Sequence, residues 1–224
     1  KKASPMTRMA TAALLREAFY KARAYGEKKN AAGAGGEAPE LDMGMECLLE
    51  VLRGELPLKI HCHRADDIQT AIRIAEEFGI SYTLDHCTEG YMMTDVLKAH
   101  NARCILGPIL IGRPKIEMKN LSYSGAAVLE RAGIEFALST DHPETPVQLL
   151  NVSAAYLVRN GLSEEAALRA MTVNAARITG LDGRIGAVKE GLDADIVVFD
   201  GHPLDVRAKV LMTVINGRVV YGGL

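Results

Sequence analysis

The feature that most constrains the fold of this chain is a regular alternation of strand-like and helix-like segments. Four short apolar runs have the length and composition of buried strands: 58–62, 81–84, 103–106 and 135–138. Three segments of helical periodicity separate them: 66–78, 92–100 and 126–132. Because repeated strand-helix units pair as parallel strands joined by right-handed crossovers, the sequence predicts an α/β fold with a parallel sheet.

Two helices are predicted before this alternation. Ser4 and Pro5 are typical of a helix start, and the apolar spacing that follows predicts a helix to about residue 25. The small residues of 30–39, NAAGAGGEAP, predict a mobile loop, and 41–53 predicts the second helix.

A different pattern follows the alternation. Two helices are predicted at 147–160 and 163–171, and then three strands: 194–199, 210–215 and 218–221. Asn216-Gly217 between the last two strands is typical of a two-residue hairpin turn. We therefore expect an α/β domain over 1–181 and a β segment over 182–224.

Composition excludes several classes of protein. The 26 Lys and Arg residues balance 28 Asp and Glu residues, giving a net charge of −2, and no basic stretch points to nucleic acid. No apolar run approaches the roughly 20 residues of a membrane span, and the start lacks a signal-peptide core. We expect a cytoplasmic protein with no membrane partner.

The four cysteines form no CxxC pair, which favours reduced thiols over disulfides.

Side chains that bind metals follow three of the four predicted strands. They are His61 and His63, His86, and Asp141 and His142. A single histidine at a strand end is more often structural, but carboxyl ends of parallel strands meet at one edge, so these side chains are expected to converge. Imidazole and carboxylate groups suit a divalent ion such as zinc, with one position left for water.

The chain from about Pro57 onwards resembles a known family. The resemblance rests on five motifs in order: HCHRADD at 61–67, LDHCTE at 84–89, STDHP at 139–143, TVNAARITGL at 172–181 and GAVKEGLDADIVVFD at 186–200. These motifs resemble the metal-dependent amidohydrolases of the imidazolonepropionase-like group. The resemblance implies a (β/α)₈ TIM-type barrel with a β-sandwich built from both chain ends. This chain would supply barrel strands five to eight and the C-terminal part of the sandwich.

The same resemblance implies roles for individual residues. His61 matches a metal ligand, and His86 matches a histidine that binds a second metal or the substrate. Asp141 matches the aspartate that binds the metal and acts as general base. We expect His63 and His142 to contact the substrate or the ligands. The implied cofactor is one or two divalent ions, most simply zinc.

The function implied is hydrolysis of a non-peptide or cyclic amide C–N bond in a small-molecule substrate. A deaminase or a prolidase-like dipeptidase of the same superfamily is an alternative. The family's His-x-His pair from the first barrel strand has no match here, so a non-catalytic fragment or split subunit is a second alternative.

We expect homo-oligomerisation or association with an N-terminal half, because four strands cannot close a barrel. A closed zinc module is disfavoured, since such sites have four closely spaced ligands.

Two cations lie in the long loop that follows the third predicted strand. Arg113 and Lys115 would be able to contact an anionic group of a substrate. Charged residues in a loop are more often simply solvated, and the sequence favours that interpretation.

Overall fold

The computed structural model describes residues 4–33 and 35–223. Eight α-helices are present in this described part: α1 Arg8–Gly33, α2 Met43–Leu52, α3 Ala65–Phe78, α4 Thr94–Ala99, α5 Gly125–Arg131, α6 Leu150–Arg159, α7 Glu164–Met171 and α8 Val173–Ile178. Its strands are β1 Leu58–Cys62, β2 Tyr82–His86, β3 Cys104–Leu106, β4 Phe136–Leu138, β5 Ile196–Phe199, β6 Val210–Ile215 and β7 Arg218–Gly222. Short 3₁₀ turns occupy Gly90–Met92, Ile116–Met118 and Val147–Leu149.

The chain divides into two compact units. The first comprises residues up to Ile60 together with Asp66–Thr83. Its core joins α1, α2 and α3 through six buried side chains: Phe19, Val51, Ile74, Ala75, Phe78 and Ile80. The rings of Phe19 and Phe78 pack with centroids 5.0 Å apart. Burial of this apolar surface, rather than exposed ion pairs such as Arg16–Glu77 at 2.6 Å, holds the unit together.

The second unit comprises His61–Ala65 and the residues from Leu84 onwards. Strands β1 to β4 follow one another in their sheet in chain order. Strand β2 pairs with β3, and β3 with β4, in parallel, so that Cys104 stands opposite Leu84 on one side and Phe136 on the other. All three residues of β4 are buried, as expected for a parallel strand with both faces covered. The predicted α/β fold with a parallel sheet is therefore confirmed.

The last three strands form a separate antiparallel sheet in the order β5-β6-β7. Asn216 and Gly217 join β6 to β7 with φ values of +49° and +75°. Two successive positive φ values match the right-handed twist of a hairpin, which confirms the predicted turn. The domain boundary between residues 181 and 182 and the eight-stranded barrel both stay predictions.

Three details of the sequence-based assignment were wrong. The first helix begins at Arg8 rather than Pro5, and the Thr7 hydroxyl accepts a hydrogen bond from the amide of Ala10 at 3.1 Å. The helix then continues to Gly33 through part of the predicted loop 30–39, because its alanines are strong helix formers. Ala34 lies outside the described residues. Helix α8 was not predicted, since its six residues are too few to show a helical period.

None of the helices in residues 4–33 and 35–223 has the length and apolar character needed to cross a membrane.

Gly107, directly after β3, offers a test of this packing. Its φ is +134°, and a Cβ built on it would lie 1.8 Å from the carbonyl oxygen of Ser139. We expect Gly107→Ala to lower the free energy of unfolding by about 2–4 kcal/mol, because strain and a backbone clash are added together. Urea unfolding of the protein at its natural length measures this. Gly112→Ala is the matched control, since no atom lies within 4 Å of its added Cβ. Equal stability of the two variants would contradict the prediction.

Candidate active site

Three histidines form a cluster where β1 and β2 end. The ring centroids are 4.2 Å apart for His61 and His86, 4.8 Å for His61 and His63, and 4.9 Å for His63 and His86. His61 is exposed, His86 is partly buried and His63 is buried. His61 and His63 share one side of the extended chain because they are two residues apart. The structure thus brings together three of the five predicted site residues.

Hydrogen bonds define the protonation of the His86 ring. Its Nδ1 lies 2.6 Å from the carbonyl oxygen of Gly107, which can only accept, so Nδ1 donates. In the neutral ring Nε2 therefore carries the lone pair, and it accepts from His61 Nδ1 at 3.0 Å. By the same reasoning the lone pair of a neutral His61 lies on Nε2. A histidine held this way by a backbone carbonyl is typical of metal sites.

His63 is held from one side only. Its Nδ1 lies 2.7 Å from the Thr88 hydroxyl. Its Nε2 is buried and has no hydrogen-bond partner within the part of the chain that the structure describes. An unsatisfied buried nitrogen costs stability unless another group approaches it. We therefore regard His63 Nε2 as a point where a ligand or another protein group can bind.

The electrostatics of the cluster favour neutral imidazoles. Burial, followed by the neighbouring His86 and His61, lowers the pKa of His63 to about 4. The pKa of His61 is also lowered, by burial, by His86 and by the positive charge of Lys115, while Asp141 and Asp85 oppose the change. Neutral imidazole is the form that binds metal ions, so both histidines are ready to act as ligands at neutral pH.

The two remaining predicted site residues lie close in sequence after β4. Asp141 is exposed, and its amide donates to the Ser139 hydroxyl at 3.1 Å. Its charge acts on His61, but no hydrogen bond or ion pair joins the Asp141 carboxylate to the cluster within the described residues. His142 is exposed, and the described part of the chain offers it no hydrogen bond or ring contact with the cluster either.

The donor chemistry of the cluster fits a divalent metal ion only as a partial set. Within residues 4–33 and 35–223, no group of three or more His, Cys, Asp and Glu side chains is arranged to hold a metal ion. Nevertheless, the imidazoles of His61 and His86 are hydrogen-bonded to each other, and the buried Nε2 of His63 has no hydrogen-bond partner among the described residues. Imidazole nitrogens suit zinc and similar borderline ions. The residues therefore fit such an ion as part of its ligand set.

The backbone at the site adopts unusual conformations. His86, Cys87 and Asp141 have φ values of +72°, +45° and +51°. Left-handed conformations at residues other than glycine cost about 1 kcal/mol or more and are concentrated at functional sites. In a regular strand, successive side chains point to opposite faces of the sheet. The left-handed conformations at these three residues interrupt that alternation.

Glu89 is a buried carboxylate that the sequence reasoning did not single out. Its Oε2 accepts from the amide of Ala65 at 2.8 Å, and its Oε1 accepts from Asn120 Nδ2 at 2.7 Å. Its own amide donates to the His63 carbonyl at 2.8 Å. Glu89 therefore joins the segment that follows β1 to the loop that follows β3. The one signal for Glu89 in the sequence is its position at the end of the motif LDHCTE.

The cysteines near the histidines are thiols. The four cysteines, all within the described residues, form no disulfide, and Cys62, Cys87 and Cys104 are buried, whereas Cys47 is exposed. The hydrogen bond with Cys104 and burial raise the pKa of Cys87 well above its ordinary value. A neutral thiol is a poor metal ligand, so Cys87 acts as a packing residue against Cys104.

A small cavity borders His86. Its volume is about 30 Å³, enough for about one or two water molecules, and its mostly apolar walls include Leu106, Met118 and Leu129. On the cluster itself, His61 is exposed to solvent.

Histidines and an aspartate at the carboxyl ends of parallel strands lie where enzymes with such sheets place their active sites. The sequence profile of the amidohydrolase family (Amidohydro_3) matches residues 46–221. The chain belongs to this family, and the resemblance to the imidazolonepropionase-like group is confirmed.

Comparisons with individual proteins agree. The chain is similar to the crystal structure of an amidohydrolase from Thermotoga maritima MSB8, with a TM-score of 0.94 and 43% identity, covering 98% of this chain and 57% of that one. It is 28% identical to the amidohydrolase tasK of Hapsidospora irregularis over 97% of this chain and 23% of that protein. It is 29% identical to the imidazolonepropionase of Maricaulis maris over 75% of this chain and 41% of that protein. The chain thus spans well under two thirds of each relative.

Glu89→Gln tests whether the buried carboxylate holds the site loops. One amide NH₂ would replace an acceptor oxygen and face either the Ala65 amide or the Asn120 NH₂ group. We expect a loss of about 1–3 kcal/mol in the free energy of unfolding, because a buried hydrogen bond to a charged group is replaced by two facing donors. Thermal and urea unfolding measure it. The exposed Glu144→Gln is the control, and an equally small effect of both variants would refute the role.

Proposed function

We propose that this protein is a metal-dependent hydrolase of non-peptide or cyclic amide C–N bonds in small molecules. The observation that carries the proposal is the hydrogen-bonded pair of His61 and His86, oriented by the Gly107 carbonyl, in a chain of the amidohydrolase family. His61 of this pair is exposed. Burial and the neighbouring His86 and Lys115 lower the pKa of His61, and neutral imidazole is the form that binds a divalent ion.

His61, His86 and Asp141 are the residues that we propose to hold the ion, most simply zinc. A bound divalent ion supplies Lewis acidity toward the amide carbonyl and lowers the pKa of water. Catalytic zinc sites have three protein ligands, and no three His, Cys, Asp or Glu side chains of the described residues are arranged to hold an ion, so we infer that further donors complete the set. An N-terminal part of the same protein or a second copy of the chain would supply them, and we expect the protein to work in the cytoplasm.

Asp141 is the residue that we propose as general base. Its exposed carboxylate faces solvent, so it is able to accept a proton from the attacking water and return it to the leaving nitrogen. His63 would orient the substrate through Nε2, and His142 would contact the substrate from the loop after β4.

Metal binding is the first test. In the protein at its natural length, we expect His61→Ala and His86→Ala each to weaken zinc binding by at least about 10-fold, because each removes a nitrogen donor. Elemental analysis and calorimetric zinc titration of the metal-stripped protein measure this loss. His202→Ala, a substitution of another partly exposed histidine, should leave zinc binding unchanged. Zinc affinity that is the same in all four proteins would refute the ligand set.

Turnover of cyclic amides is the second test. We expect Asp141→Asn to lower kcat by about 10²- to 10⁴-fold with a small change in KM, because an amide cannot accept the proton. Asp95→Asn, on the exposed face of α4, is the control.

The wild-type substrate profile separates the alternatives. Ammonia release from aminopurines would indicate a deaminase, and cleavage of Xaa-Pro dipeptides would indicate a dipeptidase. A metal-loaded protein that acts on none of these compounds would support the non-catalytic alternative.

A further inference from the structure

An open cavity of about 330 Å³ lies at the end of the sheet opposite the histidine cluster. Phe136, the first residue of β4, borders the cavity, whereas His86 is the last residue of the parallel strand β2. The end of α5, the segment before β4, and helices α7 and α8 form the rest of the wall. The volume is within the range of small-molecule sites in proteins, about 300–1,000 Å³.

Asn174 of α8 borders this cavity and carries a polar atom without a partner. The residue is only 8% exposed, and its Nδ2 donates to the carbonyl oxygen of Phe136 at 3.1 Å. Because that carbonyl can only accept, the orientation of the Asn174 amide is fixed. The other end, Oδ1, is buried and has no hydrogen-bond partner within residues 4–33 and 35–223. A buried acceptor without a donor is unfavourable, so an N–H group that reaches Oδ1 would be bound favourably.

Two charged side chains of helix α7 also border the cavity. Glu165 and Arg169 are both exposed, and neither side chain forms a hydrogen bond or an ion pair with another residue that the structure describes. They are four residues apart on the helix, so they lie on the same face. The cavity therefore has one free anion and one free cation in the same part of its wall.

The other charged side chains at the cavity are engaged by neighbours. Glu130 accepts from the amide of Ser163 at 3.0 Å and from the Ser163 hydroxyl. Glu135 forms an ion pair with Arg177. The wall also includes the buried, apolar side chain of Ile134. The groups available to a ligand are thus an amide oxygen, a carboxylate, a guanidinium and an apolar surface.

We propose that this cavity binds a small zwitterion of the amino-acid class. The ammonium group of the ligand would donate to Asn174 Oδ1 and to the Glu165 carboxylate. Its carboxylate would accept from the Arg169 guanidinium, whose planar arrangement of N–H groups matches a carboxylate. An aliphatic side chain of the ligand would lie against Ile134. This site is separate from the proposed hydrolytic site and does not depend on it.

Three compounds with the same carbon skeleton test the inference. L-Valine carries both charges, L-valinamide lacks the carboxylate, and 3-methylbutanoate lacks the ammonium group. Equilibrium titration of the natural-length protein, followed through the NMR signals of each compound, measures the three dissociation constants. We expect the wild type to bind L-valine about five-fold more tightly than either analogue, because each analogue lacks one charge pair.

Two substitutions on α7 separate the contributions of the two charges. Arg169→Gln should weaken binding of L-valine and 3-methylbutanoate by about five-fold and leave binding of L-valinamide unchanged. Glu165→Gln should weaken binding of L-valine and L-valinamide by a similar factor and leave 3-methylbutanoate unchanged. Glu164→Gln is the matched control, since this adjacent exposed residue is not part of the cavity wall, and it should change none of the three.

Asn174→Ala tests the buried acceptor. We expect about ten-fold weaker binding of L-valine and L-valinamide, because one hydrogen bond to a charged group is lost. Thermal unfolding shows whether this variant is folded, and the two α7 variants decide the question if it is not. The inference is overturned if the wild type shows no saturable binding of L-valine. It is also overturned if Glu164→Gln weakens binding as much as Glu165→Gln does.

Discussion

The candidate site depends on the backbone of Gly107. Its carbonyl orients His86, the Ser139 amide donates to the carbonyl of the preceding Leu106 at 2.8 Å, and its missing side chain admits the Ser139 carbonyl. One residue therefore joins the ends of β2, β3 and β4. A side chain at this position would push these strands apart. The orientation of His86 and the packing of the sheet therefore both depend on Gly107.

Charge and burial at the cluster act in the same direction. Burial and mutual repulsion keep His61 and His63 neutral, and the Lys115 charge adds to that effect. Neutral imidazole is the form in which histidine binds a metal ion, so both effects favour the metal-binding form of these two residues. His86 and Cys87, which have left-handed backbone conformations, lie three and two residues before Glu89, which joins the segment after β1 to the loop after β3.

Much of the fold could be predicted because it follows from local patterns. The alternation of apolar runs and helical periods located β1 to β4, and strand β6 has the predicted bounds of residues 210 and 215. The closeness of His61 and His86 followed from the rule that parallel strands end at one edge. The continuation of α1 beyond residue 25 was missed, since a stretch of small residues predicts a loop and a helix about equally well.

What the sequence could not predict depends on the path of loops. The hydrogen bonds of Gly107 with His86 and of Asn120 with Glu89 join residues 21 and 31 positions apart, and they hold the loop after β3 against the segment that follows β2. Loop paths depend on tertiary hydrogen bonds, and no periodic pattern encodes them. The contacts that these loops make are therefore the part of the site least accessible from motifs, and the hydrogen bond of Asn120 to the buried Glu89 is an example that the sequence did not reveal.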